Sequence, residues 1–142
     1  MLRGRILAAG FALFLGAALI AGCGDEEIEG PPTIPVKGRI EFTKGGKVQD
    51  LSNNSIIVEF QSVEQPDYKA FGEILEDGSF TMTTQVNEKG KPGVIAGKHR
   101  VCLNADENAA RFVSPKFLQH ETSQIVVTIP PPEEELVIKV WK

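Results

Sequence analysis

Ala70-Phe71-Gly72-Glu73-Ile74-Leu75-Glu76-Asp77-Gly78-Ser79-Phe80-Thr81-Met82-Thr83-Thr84 sets two short runs, rich in aromatic, Thr and aliphatic residues, on either side of Asp77-Gly78. Asp-Gly between such runs is a strong hairpin signal, because both residues tolerate the positive φ of a tight turn between strands. The reading is a strand over 70–75 paired with a strand over 79–84. Phe80 and Met82, two apart, then share a face and point inward.

The same alternation continues outward in both directions. Residues 36–42 place Val36, Ile40 and Phe42 inward and Lys37, Arg39 and Glu41 outward, with Gly38 in the remaining inward slot. Lys44-Gly45-Gly46-Lys47 supplies turn chemistry after them. Residues 55–62 put Ile56, Val58 and Phe60 on one face, and residues 98–104 set His99, Val101 and Leu103 against Lys98, Arg100 and Cys102. Residues 123–129 offer Ile125, Val127 and Ile129. Residues 135–141 offer Leu136, Ile138 and Val140, after the stiff run Pro130-Pro131-Pro132. Seven short strands with no sustained helical period are the signature of an all-β domain.

Residues 104–122 break the pattern. A connection this long is usually functional or carries structure of its own. Asp106-Glu107-Asn108-Ala109-Ala110-Arg111-Phe112 predicts a short helix capped by Asp106 and ended by Ser114-Pro115, in the loop before the sixth strand. Phe112, Phe117 and Leu118 lie among polar residues there. Such aromatics, with Trp141, are candidate contacts for a protein partner or a glycan, and they are equally suited to tuck under the loop and pin it.

The chain has 142 residues, 42% hydrophobic and 24% charged, enough for one domain with a core. A net charge of -4 argues against nucleic-acid binding, which rests on Lys and Arg neutralising phosphates. The N-terminus reads as an address. Arg3 and Arg5 precede an apolar run over 6–22, rich in Ala and Gly, which is the pattern of a secretory signal. Leu19-Ile20-Ala21-Gly22-Cys23 resembles the lipobox of bacterial lipoproteins, in which a Cys receives diacylglycerol and becomes the mature N-terminus.

That resemblance implies a signal peptide over 1–22 and lipidation of Cys23. Attachment to the membrane through several acyl chains would then be stable, where one chain alone is marginal. Cleavage removes Arg3 and Arg5 and no acid, leaving a net charge of -6. Gly24 stands where an Asp resembles an inner-membrane retention signal, so the expected location is the cell envelope, outer membrane over inner, facing periplasm or exterior. Residues 23–35, with four acids and Gly30, Pro31, Pro32 and Pro35, read as a tether to a domain over 36–142.

A second resemblance covers most of residues 36–129. Pro35-Val36-Lys37-Gly38-Arg39-Ile40, the Gly45-Gly46 turn, Ile56-Ile57-Val58-Glu59-Phe60, Glu76-Asp77-Gly78-Ser79-Phe80 and Ala96-Gly97-Lys98-His99-Arg100-Val101 follow one another as in a carboxypeptidase regulatory-like, transthyretin-like domain. Val113-Ser114-Pro115-Lys116-Phe117 and Glu121-Thr122-Ser123-Gln124-Ile125 resemble a segment of planctomycete-type lipoproteins that carry it. The resemblance implies a seven-stranded prealbumin-like β-sandwich. The sequence departs from the family at Ala96, His99 and Phe117, where Pro, an aromatic residue and Tyr are more usual. Related enzymes build sites from several His, Tyr or Arg. With one Tyr, two His and a Lys139-Val140-Trp141-Lys142 terminus, neither an intradiol dioxygenase nor a hydroxyisourate hydrolase site can be assembled.

Site by site, the sequence offers little chemistry. No HxH, HxxxH or CxxC spacing suggests zinc. His99 is expected inward and hydrogen-bonded, and His120 solvated beside Glu121. Cys102 is expected to face outward, with Arg100 its nearest cation and no base to activate it. Glu133-Glu134-Glu135 lacks a calcium-loop pattern and reads as a solvated run. No GxSxG elbow or phosphate-binding glycine order occurs, so Gly45-Gly46 and the stretch 90–97 read as hairpin turns. The expectation is a non-enzymatic, lipid-anchored binding or structural module without cofactor or metal. The alternatives are a carbohydrate-recognition module or an enzyme on the same fold.

Overall fold

A computed structural model describes residues 27–142, so the expected leader and Cys23 lie outside the described residues. The chain is all-β and sandwich-like. The larger sheet has the order β10-β9-β3-β4-β6-β7, with β3 over Ile57–Ser62, β4 over Lys69–Glu73, β6 over Thr83–Val86, β7 over Lys89–Pro92, β9 over Gly97–Asn104 and β10 over Ile125–Ile129. The smaller has the order β11-β2-β5, with β2 over Lys37–Lys44, β5 over Ser79–Thr81 and β11 over Leu136–Trp141, the last parallel to β2. A two-stranded piece joins β1, Thr33–Ile34, to β8, Val94–Ile95.

The inward faces are those the alternation predicts. Ile40, Phe80, Ile138 and Val140 from the smaller sheet and Val58, Phe60, Val101, Leu103, Val127 and Ile129 from the larger one are buried in one cluster. Phe60 meets Phe80 edge-on across it, centroids 6.4 Å apart. Gly38 is required where it stands, since a Cβ would overlap the Phe80 ring.

Seven strands is a correction: eleven are present among the described residues. A turn forms at Asp77-Gly78, but of the two residues only Gly78 takes a positive φ. Gly78 has φ 85°, Asp77 Oδ1 accepts the Ser79 N–H at 2.9 Å, and the Leu75 N–H reaches the Ser79 carbonyl. Its arms do not pair as a hairpin, however. β5 pairs with β2 in the smaller sheet, whereas β4 pairs with β6 in the larger one, so residues 79–84 are divided between sheets near Met82. The Ile40 N–H bonding the Gly78 carbonyl at 2.8 Å ties the turn to β2.

Three further departures have simple causes. The stretch 90–97 holds β7 and β8 as well as turns, hinged by Gly93 at φ 97°. The expected tether joins the fold before residue 36: Lys91 Nζ donates to the Pro31 carbonyl at 3.0 Å, and Thr33 Oγ1 to the Pro92 carbonyl at 2.6 Å. A short helix, α1 over Val48–Asn53, follows β2 and is held by wholly buried Leu51. It is too short to show a period in sequence.

The long connection folds as 3-10 turns over Ala109–Phe112 and Pro115–Leu118 and a one-turn helix, α2, over His120–Ser123. Asp106 Oδ1 accepts the Ala109 N–H at 2.7 Å, but the cap position of the first turn is Asn108, and the turn is shorter than the predicted helix. Ala109, Val113 and Phe117 are buried and draw the segment down onto the sandwich. No helix among the described residues is long and apolar enough to cross a membrane.

Candidate functional site

Cys102 on β9 stands directly opposite Glu59 on β3 in the antiparallel register. Alternation puts both on the outer face of the larger sheet, where a bare sheet would expose them. They are buried instead, at 5% and 6% exposure, and this corrects the expectation that Cys102 faces solvent. What covers that face is the long connection, which sets α2 over it. Ser123, itself buried, donates its hydroxyl to the Val101 carbonyl, and Thr122 Oγ1 donates to the Lys116 carbonyl at 2.8 Å. Phe117, at 1% exposure, packs edge-on against Trp141 with centroids 4.6 Å apart.

This anchoring delivers His120 to the pair. Its side chain is 9% exposed, so the expected solvated pairing with Glu121 does not form. His120 Nε2 lies 2.9 Å from Glu59 Oε1 and 3.4 Å from Cys102 Sγ. Lys69 Nζ approaches the same carboxylate oxygen at 3.1 Å, and Asn104 Nδ2 donates to the other oxygen at 3.1 Å. A solvent-open hollow of about 260 Å³, lined by Ala105, Leu118, Gln119 and Glu121 besides the cluster, lies over the group.

Burial pushes the Glu59 carboxyl up, but hydrogen bonds from His120, Lys69 and Asn104 outweigh it and hold it below the usual carboxylate value. The Cys102 thiol moves the other way. Burial, with the Glu59 charge beside it, pushes it up to about 12. Its neighbour is a carboxylate rather than the Arg100 expected, so the site holds a protonated, weakly nucleophilic thiol. A nucleophile-base-orienter relay needs the imidazole to use one nitrogen for the thiol and the other for the acid. Here Nε2 serves both, and Nδ1 is buried without a partner among the described residues. One donor atom from each of the three side chains, a carboxylate oxygen, the thiol sulfur and an imidazole nitrogen, lies within 4.8 Å of the other two.

The other sequence candidates lie elsewhere. His99 is buried as expected, with Nε2 donating to the Ile95 carbonyl at 2.7 Å and its ring 6.0 Å from Phe60. Phe117 lies in the core and pins the loop. Trp141 and Phe112 stay partly exposed and carry cations over their rings. Lys116 and Lys44 lie 5.1 and 5.8 Å from Trp141, and Arg111 and Lys142 lie 4.9 and 5.7 Å from Phe112. The structure therefore joins Phe117 to Trp141 and leaves Phe112 outside that ring pair. Glu59 was invisible as a site residue, since in sequence it is one outward charge on a strand.

No protein-family model, curated protein or solved structure matches the chain.

Proposed function

We infer that the chain is a lipid-anchored, non-enzymatic module of the bacterial cell envelope, a transthyretin-like sandwich held at the membrane through Cys23 and serving as a binding or structural accessory. The observation that carries this reading is the order Arg3, Arg5, apolar run, Leu19-Ile20-Ala21-Gly22-Cys23, acidic Gly/Pro segment, β domain. Each part supplies what the next requires: export, a processed thiol, a spacer and a folded body.

The spacer is short. Gly30, beside the first backbone tied to the sandwich, is seven positions on from Cys23, and a chain of that length spans at most about 25 Å. The body would therefore stand close to the bilayer, and the acids at 25–29 would be repelled by anionic headgroups. A non-enzymatic role is supported by the Glu59, Cys102 and His120 cluster, where the thiol is protonated and the imidazole has no relay geometry. The glycan reading is less favoured: Phe117 is buried, and lysines lie over the Trp141 ring that a sugar would need.

Metabolic labelling with a palmitate analogue in a bacterial host tests the anchor. Wild type should incorporate label and fractionate with membranes, with a mature terminus at an acylated Cys23 by mass spectrometry, and Cys23→Ala should do neither. An unmodified Cys23 thiol in the processed wild-type protein overturns the reading.

A further inference from the structure

We propose that Glu59, Cys102 and His120 form a binding site for a single zinc-type divalent metal ion, with the fourth position open to the hollow that Glu121 helps line. This goes beyond the anchored-module reading and does not depend on it. The donor set is one thiolate, one imidazole and one carboxylate. That mixture suits a borderline-soft ion and not calcium or magnesium, which take shells of oxygens.

The spacing fits. Zinc bonds of about 2.3 Å to sulfur and about 2.0–2.1 Å to nitrogen and oxygen, arranged tetrahedrally, separate sulfur from nitrogen by about 3.5 Å and nitrogen from oxygen by about 3.3 Å. In the structure Sγ lies 3.4 Å from Nε2, and Nε2 lies 2.9 Å from Oε1. Seating the ion therefore requires the imidazole and carboxylate to part by about 0.4 Å and the thiol and carboxylate, which lie within 4.8 Å of one another, to settle at about 3.5 Å. Glu59 and Cys102 project from neighbouring strands in register, so two ligands are preset by the sheet. His120 arrives on a helix fastened by Ser123 and by the Phe117 anchor.

As the metal-sulfur bond forms, the Cys102 S–H proton leaves to solvent. The His120 ring proton, now directed from Nε2 to Glu59, is carried by Nδ1, which has no partner among the described residues. The Nε2 lone pair then faces the metal. Asn104 still donates to Glu59 Oε2, an outer-shell bond that fixes the carboxylate, and half-exposed Lys69 is free to turn toward water. A water entering from the hollow completes four-coordination.

The test uses the full chain carrying Cys23→Ala, which leaves Cys102 as its one thiol. Cobalt(II) is titrated into metal-free protein and read by thiolate-to-cobalt charge transfer and tetrahedral ligand-field bands, with zinc as competitor. The proposal expects one cobalt per chain, displaced by one equivalent of zinc. Cys102→Ser should abolish the charge-transfer band, and Cys102→Ser and His120→Ala should each weaken affinity by at least about 100-fold, the upper range for losing a mere outer-shell partner. Far-UV circular dichroism of the variants checks folding. Zinc protection of wild-type Cys102 from alkylation supplies a readout that needs no site variant. Absence of a thiolate charge-transfer band, a band that survives Cys102→Ser, or alkylation unaffected by zinc overturns the proposal.

Discussion

Unpinning the long connection should expose Cys102, and the size of the effect follows from its surroundings. The thiol is pushed up to about 12, whereas in an unfolded chain it sits near about 8.5. At pH 8 the thiolate fraction is then about 2 × 10³ times smaller in the folded protein. A more basic thiolate is intrinsically more nucleophilic, which returns about 40-fold of this. Ionisation alone therefore slows attack on a disulfide reagent by about 60-fold, and burial beneath His120 slows it further. Phe117→Ala removes the aromatic anchor, a change that costs about 3–5 kcal/mol when the ring is fully buried. If that anchor holds α2 over β9, the connection opens before the sheets do. In metal-free buffer, with Cys23→Ala as background, stopped-flow labelling should be at least about 60-fold slower for the folded protein than for the urea-unfolded chain. Phe117→Ala should bring it within about tenfold of the unfolded rate while far-UV circular dichroism keeps its β signal. A folded protein that already labels within tenfold of the unfolded chain, or a variant destabilised as stated yet labelled no faster, would show that this connection is not what shields the thiol.

Three other perturbations test separate parts of the structure. Burial holds the His99 ring below its usual 6.5, against the pull of the Ile95 carbonyl and the Glu64 charge, so below pH 6.5 the unfolded chain takes up a proton that the folded ring resists. Stability in urea melts should decline as pH falls from 6.5 toward the folded value, and His99→Phe should flatten that slope. Glu59 gives a second, lower window. Its depressed carboxyl contributes stability above pH 4.5 that is lost as pH falls through the folded value. At neutral pH Glu59→Gln should cost about 1–3 kcal/mol by leaving His120 poorly paired, with half-exposed Lys69 contributing little, and an unchanged urea midpoint would contradict the hydrogen-bond assignment. Gly38→Ala drives a methyl into the Phe80 ring and should cost about 1–3 kcal/mol by the same melts.

The inward half of this fold was legible because burial leaves a period of two in the sequence. Val36, Ile40, Val58, Phe60, Val101 and Leu103 all face the core where alternation places them. Pairing was less legible. Asp77-Gly78 encodes a turn, but a turn serves equally to close a hairpin or to carry the chain between sheets. The choice lay with β2, whose Ile40 N–H holds the Gly78 carbonyl at 2.8 Å. No local spacing records a contact between residues 40 and 78.

The candidate site was hidden for the same reason, and more completely. Glu59, Cys102 and His120 come from β3, β9 and α2, and each has an ordinary local explanation as an outward charge, an outward thiol and a loop histidine. Outward meant exposed only so long as nothing was packed over the sheet. Once the buried apolar residues of the connection, Ala109, Val113 and Phe117, draw it onto the sandwich, the polar face beneath becomes an interior. A carboxylate enclosed there must be satisfied, and His120, Lys69 and Asn104 satisfy it. The aromatics that sequence singled out as possible contacts thus bear on the site indirectly. Phe117 supplies none of the three donor atoms, yet its burial is what holds an imidazole from one end of the connection against a thiol and an acid on adjacent strands.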